Sequence, residues 1–345
     1  MNIFVTGGAG FIGSHAAEFY SRDNRVIVYD NLSRAQAFGK SGRNAKYNLE
    51  YLRNVNPKLE FHDADIRDFP SLRHASEMAD YIIHTAGQVA VTTSLKDPRS
   101  DFETNALGTL NVLESARLND SAIVFCSTNK VYGENVNNVP VKELPKRYSF
   151  NDPDYLDGIP ENFSIDHTGH SPYGSSKLAA DTYVQDYAHT YGLKTGVFRM
   201  SCIYGERQFG VEDQGWLAWF VIASLIGQPI TIYGDGKQVR DVLYVDDLVN
   251  AFDRFLQGSI KHGVYNMGGG RDNTLSLLEL LDLIERHTGI RPKLKYDGWR
   301  SADQKVYISD IRKASENLVW KPQISPTEGV SRVIRWVQNN KSLFG

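Results

Sequence analysis

A chain of 345 residues has room for one large domain or two fused ones, and 41% hydrophobic with 23% charged residues is the composition of a globular protein. A net charge of −3 leaves no electrostatic footprint for a nucleic-acid partner. Two cysteines, Cys126 and Cys202, exclude a disulfide framework and a zinc set and fit a reducing cytoplasm, while His167 and His170 have no acidic or cysteine neighbours and are expected in a loop, so no metal is expected.

In chain order, Asn2 to Thr6 reads as a buried parallel strand that begins too early to leave room for a signal peptide. Gly7-Gly8-Ala9-Gly10-Phe11-Ile12-Gly13 follows, opening a helix from Phe11 to Tyr20. A glycine turn between strand and helix lets backbone amides approach a pyrophosphate at the positive helix end. The spacing Gly7-x-x-Gly10-x-x-Gly13 is one residue longer in its first gap than the usual dinucleotide fingerprint. The strand Arg25 to Tyr29 ends at Asp30, where a carboxylate would accept ribose hydroxyls and repel a 2′-phosphate, so NAD is favoured over NADP; Arg34 is near enough either to keep NADP open or to lie over the adenine.

Strand and helix signals keep alternating through Leu59 to His62, Tyr81 to His84, a helix from Phe102 to Leu118 and the strand Ala122 to Cys126. Lys40 to Asn56 is polar and expected as a surface excursion. Alternation of this kind predicts an α/β fold with a doubly wound parallel (Rossmann) sheet, its ligands outside the carboxyl ends of the strands. Asp65, Gln88 and Thr128 stand at such ends.

After Gly133 the periodicity fails, and 134–169, rich in Pro, Asn, Asp and Tyr, is expected as a flap over the substrate. It leads into Ser171-Pro172-Tyr173-Gly174-Ser175-Ser176-Lys177. If a helix starts near Pro172, Tyr173 and Lys177 share one face a turn apart, and the ammonium should favour the phenolate. The product is a general base for an alcohol proton. Leu178, Ala179, Tyr183 and Tyr187 follow at helical spacing and are expected mostly in the core.

Beyond the strand Thr195 to Arg199 come a helix from Gly215 to Ile226, a strand Ile230 to Tyr233 and a helix Leu248 to Leu256 capped by an aspartate. A strand Val264 to Met267, a helix Leu275 to Thr288 and an amphipathic helix near Pro326 to Gln338 complete the chain. The longest apolar run, Trp216 to Gly227, is shorter than the roughly 20 residues that cross a bilayer, so a cytoplasmic protein without membrane contact is expected. Residues 1–200 are expected as the NAD-binding domain and 201–345 as a smaller mixed α/β substrate-binding lobe interleaved with it.

Thr6 to Gly13, Asp30-Asn31, Asn105, Ser127-Thr128-x-x-Val131-Tyr132-Gly133, Tyr173-x-x-x-Lys177 and Arg240-Asp241 resemble, in order and spacing, the extended short-chain dehydrogenase/reductase family. The resemblance spans nearly the whole chain. It implies bound NAD, a nucleotide-diphosphate-sugar substrate, and Thr128, Tyr173 and Lys177 as the catalytic set. It also implies a cofactor-binding set of Gly7, Gly10, Phe11, Ile12, Gly13, Asp30, Asn31, Ser33, Arg34, Asp65, Ile66, Ala86, Gln88, Asn105 and Ser201, together with Tyr173 and Lys177. The family usually pairs through a four-helix contact, so a homo-oligomer, dimer or tetramer, using the helices near Phe102 and Tyr173 is implied.

Family members that dehydrate or decarboxylate carry Asp-Glu or a lone Glu after the residue matching Thr128; Asn129 and Lys130 stand there, which disfavours both reactions. The segments Gly87 to Ser94, Arg207-Gln208-Phe209, Asp213 to Trp216, Gly236 to Asp241 and Ser301 to Gln304 resemble the family's 2-epimerase subgroup. That resemblance implies substrate contacts from Gln88, Thr128, Asn129, Gln208, Gln214, Tyr233, Arg240, Arg300 and Asp303, with the two arginines as anchors for the diphosphate. Most extended members keep an asparagine at the position of Cys202, so that member of the substrate set is not carried over. The expected activity is NAD-dependent epimerisation at C2 of a nucleotide sugar. A UDP-sugar 4-epimerase, a net reductase and a non-catalytic NAD-sensing binding protein remain as alternatives.

Overall fold

The apolar run Asn2–Thr6 forms β1 of a seven-stranded sheet in a computed structural model that describes residues 1–34, 46–300 and 303–344. In chain order the strands are β2 (Arg25–Asp30), β3 (Glu60–Asp63), β4 (Tyr81–His84), β5 (Ala122–Thr128), β6 (Val141–Glu143), β7 (Tyr148–Phe150), β8 (Thr195–Met200) and β9 (Cys202–Tyr204). They continue with β10 (Ile230–Tyr233), β11 (Val239–Tyr244), β12 (His262–Met267), β13 (Thr274–Ser276), β14 (Leu294–Asp297) and β15 (Val306–Tyr307).

The large sheet has the order β12-β8-β5-β4-β1-β2-β3. β1 runs parallel to both β2 and β4, and the outer pairs β2–β3 and β4–β5 are parallel too. The chain therefore winds outward from β1 to β3, then returns past β1 and winds the other way from β4, which is the doubly wound fold expected. Buried on both faces, these strands read as continuous apolar runs: Ile3, Phe4, Val5, Ile82, Ile83, Ile123, Val124 and Phe125 are all closed to solvent.

By contact the chain divides into two units. The first is Met1–Val131, Ser171–Arg199 and Val249–Tyr265; the second is Tyr132–His170, Met200–Leu248 and Asn266–Gly345. In the first, Phe4, Ile82, Val112, Leu113 and Phe125 share a core with Ala180, Val184 and Tyr187 of the helix Ser171–Tyr191. Each buried aliphatic or aromatic side chain contributes about 1.5–3 kcal/mol relative to exposure, enough in sum to fix that helix on the sheet.

In the second unit β11 pairs antiparallel with β13 and parallel with β15 and β9, and β10 pairs with β14. The buried Asp241 carboxylate knots this sheet by accepting from Gly270 N at 3.2 Å and Ser309 N at 3.1 Å. Segment 134–169 is folded within this unit through the hairpin β6–β7, the Tyr148 hydroxyl on Asp235, and a ring cluster of Tyr132, Tyr155 and Phe163.

Several expectations are corrected. Tyr47–Val55 forms a helix within the stretch expected as a surface excursion, its apolar face carried by only Leu49 and Leu52 among polar neighbours; 40–45 of that excursion lie outside the described residues. The expected helix Phe102 to Leu118 is three pieces, Pro98–Phe102, a π-helical turn Glu103–Leu107 and Gly108–Asn119. Val245–Gln257 begins a turn before Leu248, so Asp247 is inside the helix instead of capping it, and its carboxylate accepts from Gln323 N and Ile324 N. The helix expected from Leu275 starts at Leu277, after β13, with Ser276 and Glu279 forming a reciprocal cap. Tyr187 is buried, but Tyr183 is 47% exposed, and it borders an open hollow with Leu178 and Ala179. Among the described residues no helix is long and apolar enough to cross a membrane.

Candidate active site

The glycine turn is built as its spacing requires. Gly7 has φ +68°, and a Cβ on Gly13 would fall 2.3 Å from the Gly7 carbonyl oxygen. Gly10 N donates to that same oxygen, and the helix Phe11–Tyr20 opens on Gly10 with no side-chain cap. First-turn amides of an uncapped helix beside a turn that admits no side chain fit the pyrophosphate of a dinucleotide. A Cβ on Gly7 would also meet Ala86 N at 2.6 Å, so the turn lies against the loop after β4, at the point where the sheet's winding reverses.

Asp30 ends β2 and accepts from Ala9 N at 3.0 Å and Leu32 N at 2.8 Å. Burial raises its pKa, with those two amides acting against the rise, and burial lowers that of Arg34, which Asp30 partly offsets. Asn31 donates to Asp65 at 2.8 Å and accepts from Ser33 N. Burial alone would raise Asp65, yet bonds from Arg67 and Asn31 leave its pKa below the usual range. Ile66 is buried beside it.

Gln88 and Asn105 bond each other across the loop after β4. Asn105, 1% exposed, accepts from Gln88 N at 2.8 Å and donates to Gln88 O and to Ser176 Oγ. Gln88 Nε2 donates to Asp101 at 2.7 Å and to Ala90 O, and Gln88 Oε1 accepts from Ala90 N. Both amides join the loop after β4 to the helix Ser171–Tyr191, around an Asp101 carboxylate that also accepts from Ser176 Oγ at 2.5 Å. Asp101 and Ser176 were missed; the signal was the four-residue spacing Asp101 to Asn105 at the head of a helix.

Tyr173, Lys177 and Thr128 come together and are 9%, 6% and 7% exposed. Burial pushes the Tyr173 phenol up to about 12, and a hydrogen bond with Thr128 works against that rise. Burial lowers Lys177 to about 8, offset in part by Cys126, Asp181 and Asp101. Its ammonium donates to Cys126 O at 2.7 Å and lies 4.1 Å from the ring centroid of Phe125. The Thr128 hydroxyl is the group that acts against the rise at Tyr173. Asn129, also buried, follows at once.

The remaining candidates lie in the second unit. Arg240 donates to Val239 O at 2.8 Å, Gln304 O at 2.7 Å and Asp303 Oδ1 at 2.5 Å, so its fork is engaged by the chain itself. Arg300 pairs with Asp213 at 3.0 Å and lies 3.9 Å from the ring centroid of Tyr233. Gln208, 3% exposed, donates to Ile203 O, and its Oε1 has no partner among the described residues. Gln214 forms a bridge with Val211, and Ser201 donates to Asp241 O at 3.2 Å. Ser301 and Ala302 lie outside the described residues.

A glycine turn at the winding reversal and a buried Tyr-Lys-Thr array at the end of β5 define an NAD-dependent oxidoreductase-type site. The model of the NAD dependent epimerase/dehydratase family matches residues 3–268, and the chain belongs to that family. It is 40% identical to a CDP-paratose 2-epimerase of Salmonella typhi, covering 98% of this chain and 100% of that one. It is 31% identical to a UDP-glucuronate 4-epimerase of Thermodesulfobacterium geofontis, over 99% and 97% of the two chains. A crystal structure of UDP-glucose 4-epimerase with UDP-glucose from Thermotoga maritima superposes with a TM-score of 0.80 at 32% identity, covering 99% and 100%.

Proposed function

We propose that this chain inverts C2 of a nucleotide-diphosphate sugar, converting a CDP-paratose-type substrate to the CDP-tyvelose type through a transient 2-keto sugar. The observation that carries the reading is the buried Thr128–Tyr173–Lys177 array followed directly by Asn129 and Lys130, which supply no carboxylate for a dehydration. The choice of C2 is supported by the 40% identity to a CDP-paratose 2-epimerase.

A C2 hydrogen beside an acetal carbon has no carbonyl to stabilise a carbanion, so direct deprotonation is closed. Bound NAD supplies a two-electron acceptor that takes a hydride and returns it. Tyr173 takes the C2 hydroxyl proton as phenolate and gives it back to the inverted alcohol. Thr128 hydrogen-bonds the reacting oxygen and lowers the phenol's proton affinity. Lys177 keeps a positive charge in a buried pocket where negative charge develops. Burial of all three residues keeps the reacting groups out of bulk water. Glycines 7 and 13 admit the pyrophosphate, and Asp30 excludes a 2′-phosphate by charge. Arg300, over Tyr233, offers a cation and a ring for the nucleotide end of the substrate.

The second reading is 4-epimerisation of a UDP-sugar, favoured by the UDP-glucuronate 4-epimerase relative. Purified protein incubated with CDP-, UDP- and GDP-sugars carrying deuterium at C2 or C4 separates the two. Inversion confined to C2 of a CDP-sugar supports the first reading, and inversion at C4 of a UDP-sugar replaces it. A homo-oligomer is proposed through the helices bearing the exposed Phe102 and Tyr183, and the particle mass in solution tests it.

A further inference from the structure

The last three residues of β5 are each tied to a successive turn of the helix Ser171–Tyr191. Thr128 acts against the rise in the pKa of the Tyr173 phenol, Lys177 Nζ donates to Cys126 O at 2.7 Å, and Ser127 Oγ donates to Asp181 Oδ2 at 2.6 Å. Tyr173, Lys177 and Asp181 recur every four residues and so lie along one helix face. The first two ties belong to the reaction as read above. The third ends on a carboxylate with no exposed surface.

Asp181 is paired with Arg199 of β8, whose Nε and Nη2 reach its two oxygens at 3.0 and 3.1 Å, and Gln185 Nε2 donates to it at 2.7 Å. The side chains of the pair are 0% and 6% exposed. A buried ion pair is a poor way simply to join a helix to a strand, because well-packed apolar residues of similar volume do so as well or better. What this pair does that apolar residues could not is hold a hydroxyl next to Thr128 and set a negative charge one turn below Lys177.

We propose that Asp181, with Arg199 as its counter-ion, is a positioning residue for the reaction: it fixes Ser127, and through it Thr128, in register with Tyr173 and Lys177. The proposal rests on the reading of Thr128, Tyr173 and Lys177 as the catalytic set. Its second effect is on charge. Lys177 is faced by Cys126 of β5, His84 of β4 and Asp101 of the helix Pro98–Phe102, besides Asp181 and its partner Arg199. Asp181 is one of the groups that hold the proton on the buried ammonium.

The test uses the full chain with bound NAD and CDP-paratose. Asp181→Asn should lower kcat about 10- to 100-fold with KM within about threefold, since the loss falls on alignment in the reacting complex. The alkaline limb of its pH profile should move to lower pH, because Lys177 then loses its proton more easily. Asp181→Glu should recover most of the rate. Ser127→Ala leaves the ion pair intact and should lower kcat about tenfold without moving that limb. The double variant Asp181→Leu with Arg199→Met should keep the thermal midpoint of the parent and still be slow. Parental kcat and pH profile in Asp181→Asn, or the parental rate in the double variant, would overturn the proposal. If neither folds, Ser127→Ala decides, and a parental kcat there overturns it. Parental turnover in Tyr173→Phe would instead remove the catalytic set on which the proposal rests.

Discussion

The ammonium of Lys177 donates to the backbone oxygen of Cys126 at 2.7 Å, which fastens the helix Ser171–Tyr191 to the end of β5 and buries a positive charge there. Burial depresses the lysine to about 8 from an ordinary 10.5. Between these values the folded chain binds fewer protons than the unfolded one, so this group's contribution to stability rises with pH from 8 to 10.5 and is a constant penalty below 8. Lys177→Met should therefore abolish turnover yet raise stability at pH 7 by about 1–2 kcal/mol, after allowing for the lost hydrogen bond. Denaturant titrations of both proteins at pH 7 and pH 10 check this. The advantage of the variant should shrink at the higher pH, and an advantage that grew would contradict it.

Thr128 is the group that counters the burial of Tyr173. Thr128→Val removes that hydroxyl at nearly constant volume and should lower kcat/KM about 10²-fold. The ascending limb of the pH–rate profile should shift upward as the phenol becomes harder to ionise. A variant with reduced rate but an unmoved profile would show that Thr128 acts only by packing.

His84 is fully enclosed, with Nδ1 2.7 Å from the Thr6 hydroxyl and Nε2 3.0 Å from that of Thr109. Burial, aided by Lys177, pushes its pKa down from 6.5 to about 3, so it is neutral in the fold. The unfolded chain binds the extra proton between pH 3 and 6.5, and stability is lost as pH falls through that window. Chemical unfolding at pH 7 and pH 5 should show the loss, and His84→Gln should flatten it. An equal slope in both proteins would assign the acid lability elsewhere.

Gly13→Ala would bring a methyl to 2.3 Å from the Gly7 carbonyl, a contact the turn cannot relieve without opening. The NAD content of the purified variant, read by absorbance after denaturation, should fall at least about tenfold, and the thermal midpoint should fall as well because Gly13 is buried and the methyl also meets Thr85 Oγ1. Full NAD occupancy in this variant would show that the pyrophosphate is held elsewhere.

Much of this was legible in the chain because it depends on local spacing. Apolar runs identified β1, β2, β4 and β5, and the glycine turn and the four-residue step from Tyr173 to Lys177 each follow from a backbone period. What escaped depends on partners far apart in sequence. Asp101, Ser176, Asn105 and Gln88 form one network from three segments, and apart from the four-residue step between Asp101 and Asn105 no spacing links them in the sequence. Periodicity marks Tyr183 as apolar-face but does not report what covers it, and it is exposed. The spacing places Lys177 a turn from Tyr173 but carries no sign of its bond to Cys126 O, 51 residues away in the chain.

The central claim is that the Tyr173 phenolate removes a C2 hydroxyl proton during a reversible oxidation. CDP-paratose carrying deuterium at C2, incubated with parent and Tyr173→Phe proteins and followed by NMR, tests it most directly. The parent should return CDP-tyvelose with deuterium retained at C2, and Tyr173→Phe, with its NAD still bound, should be slower by at least about 10³-fold. Wash-out of the label to solvent, inversion at another carbon, or a parental rate in Tyr173→Phe would contradict the account.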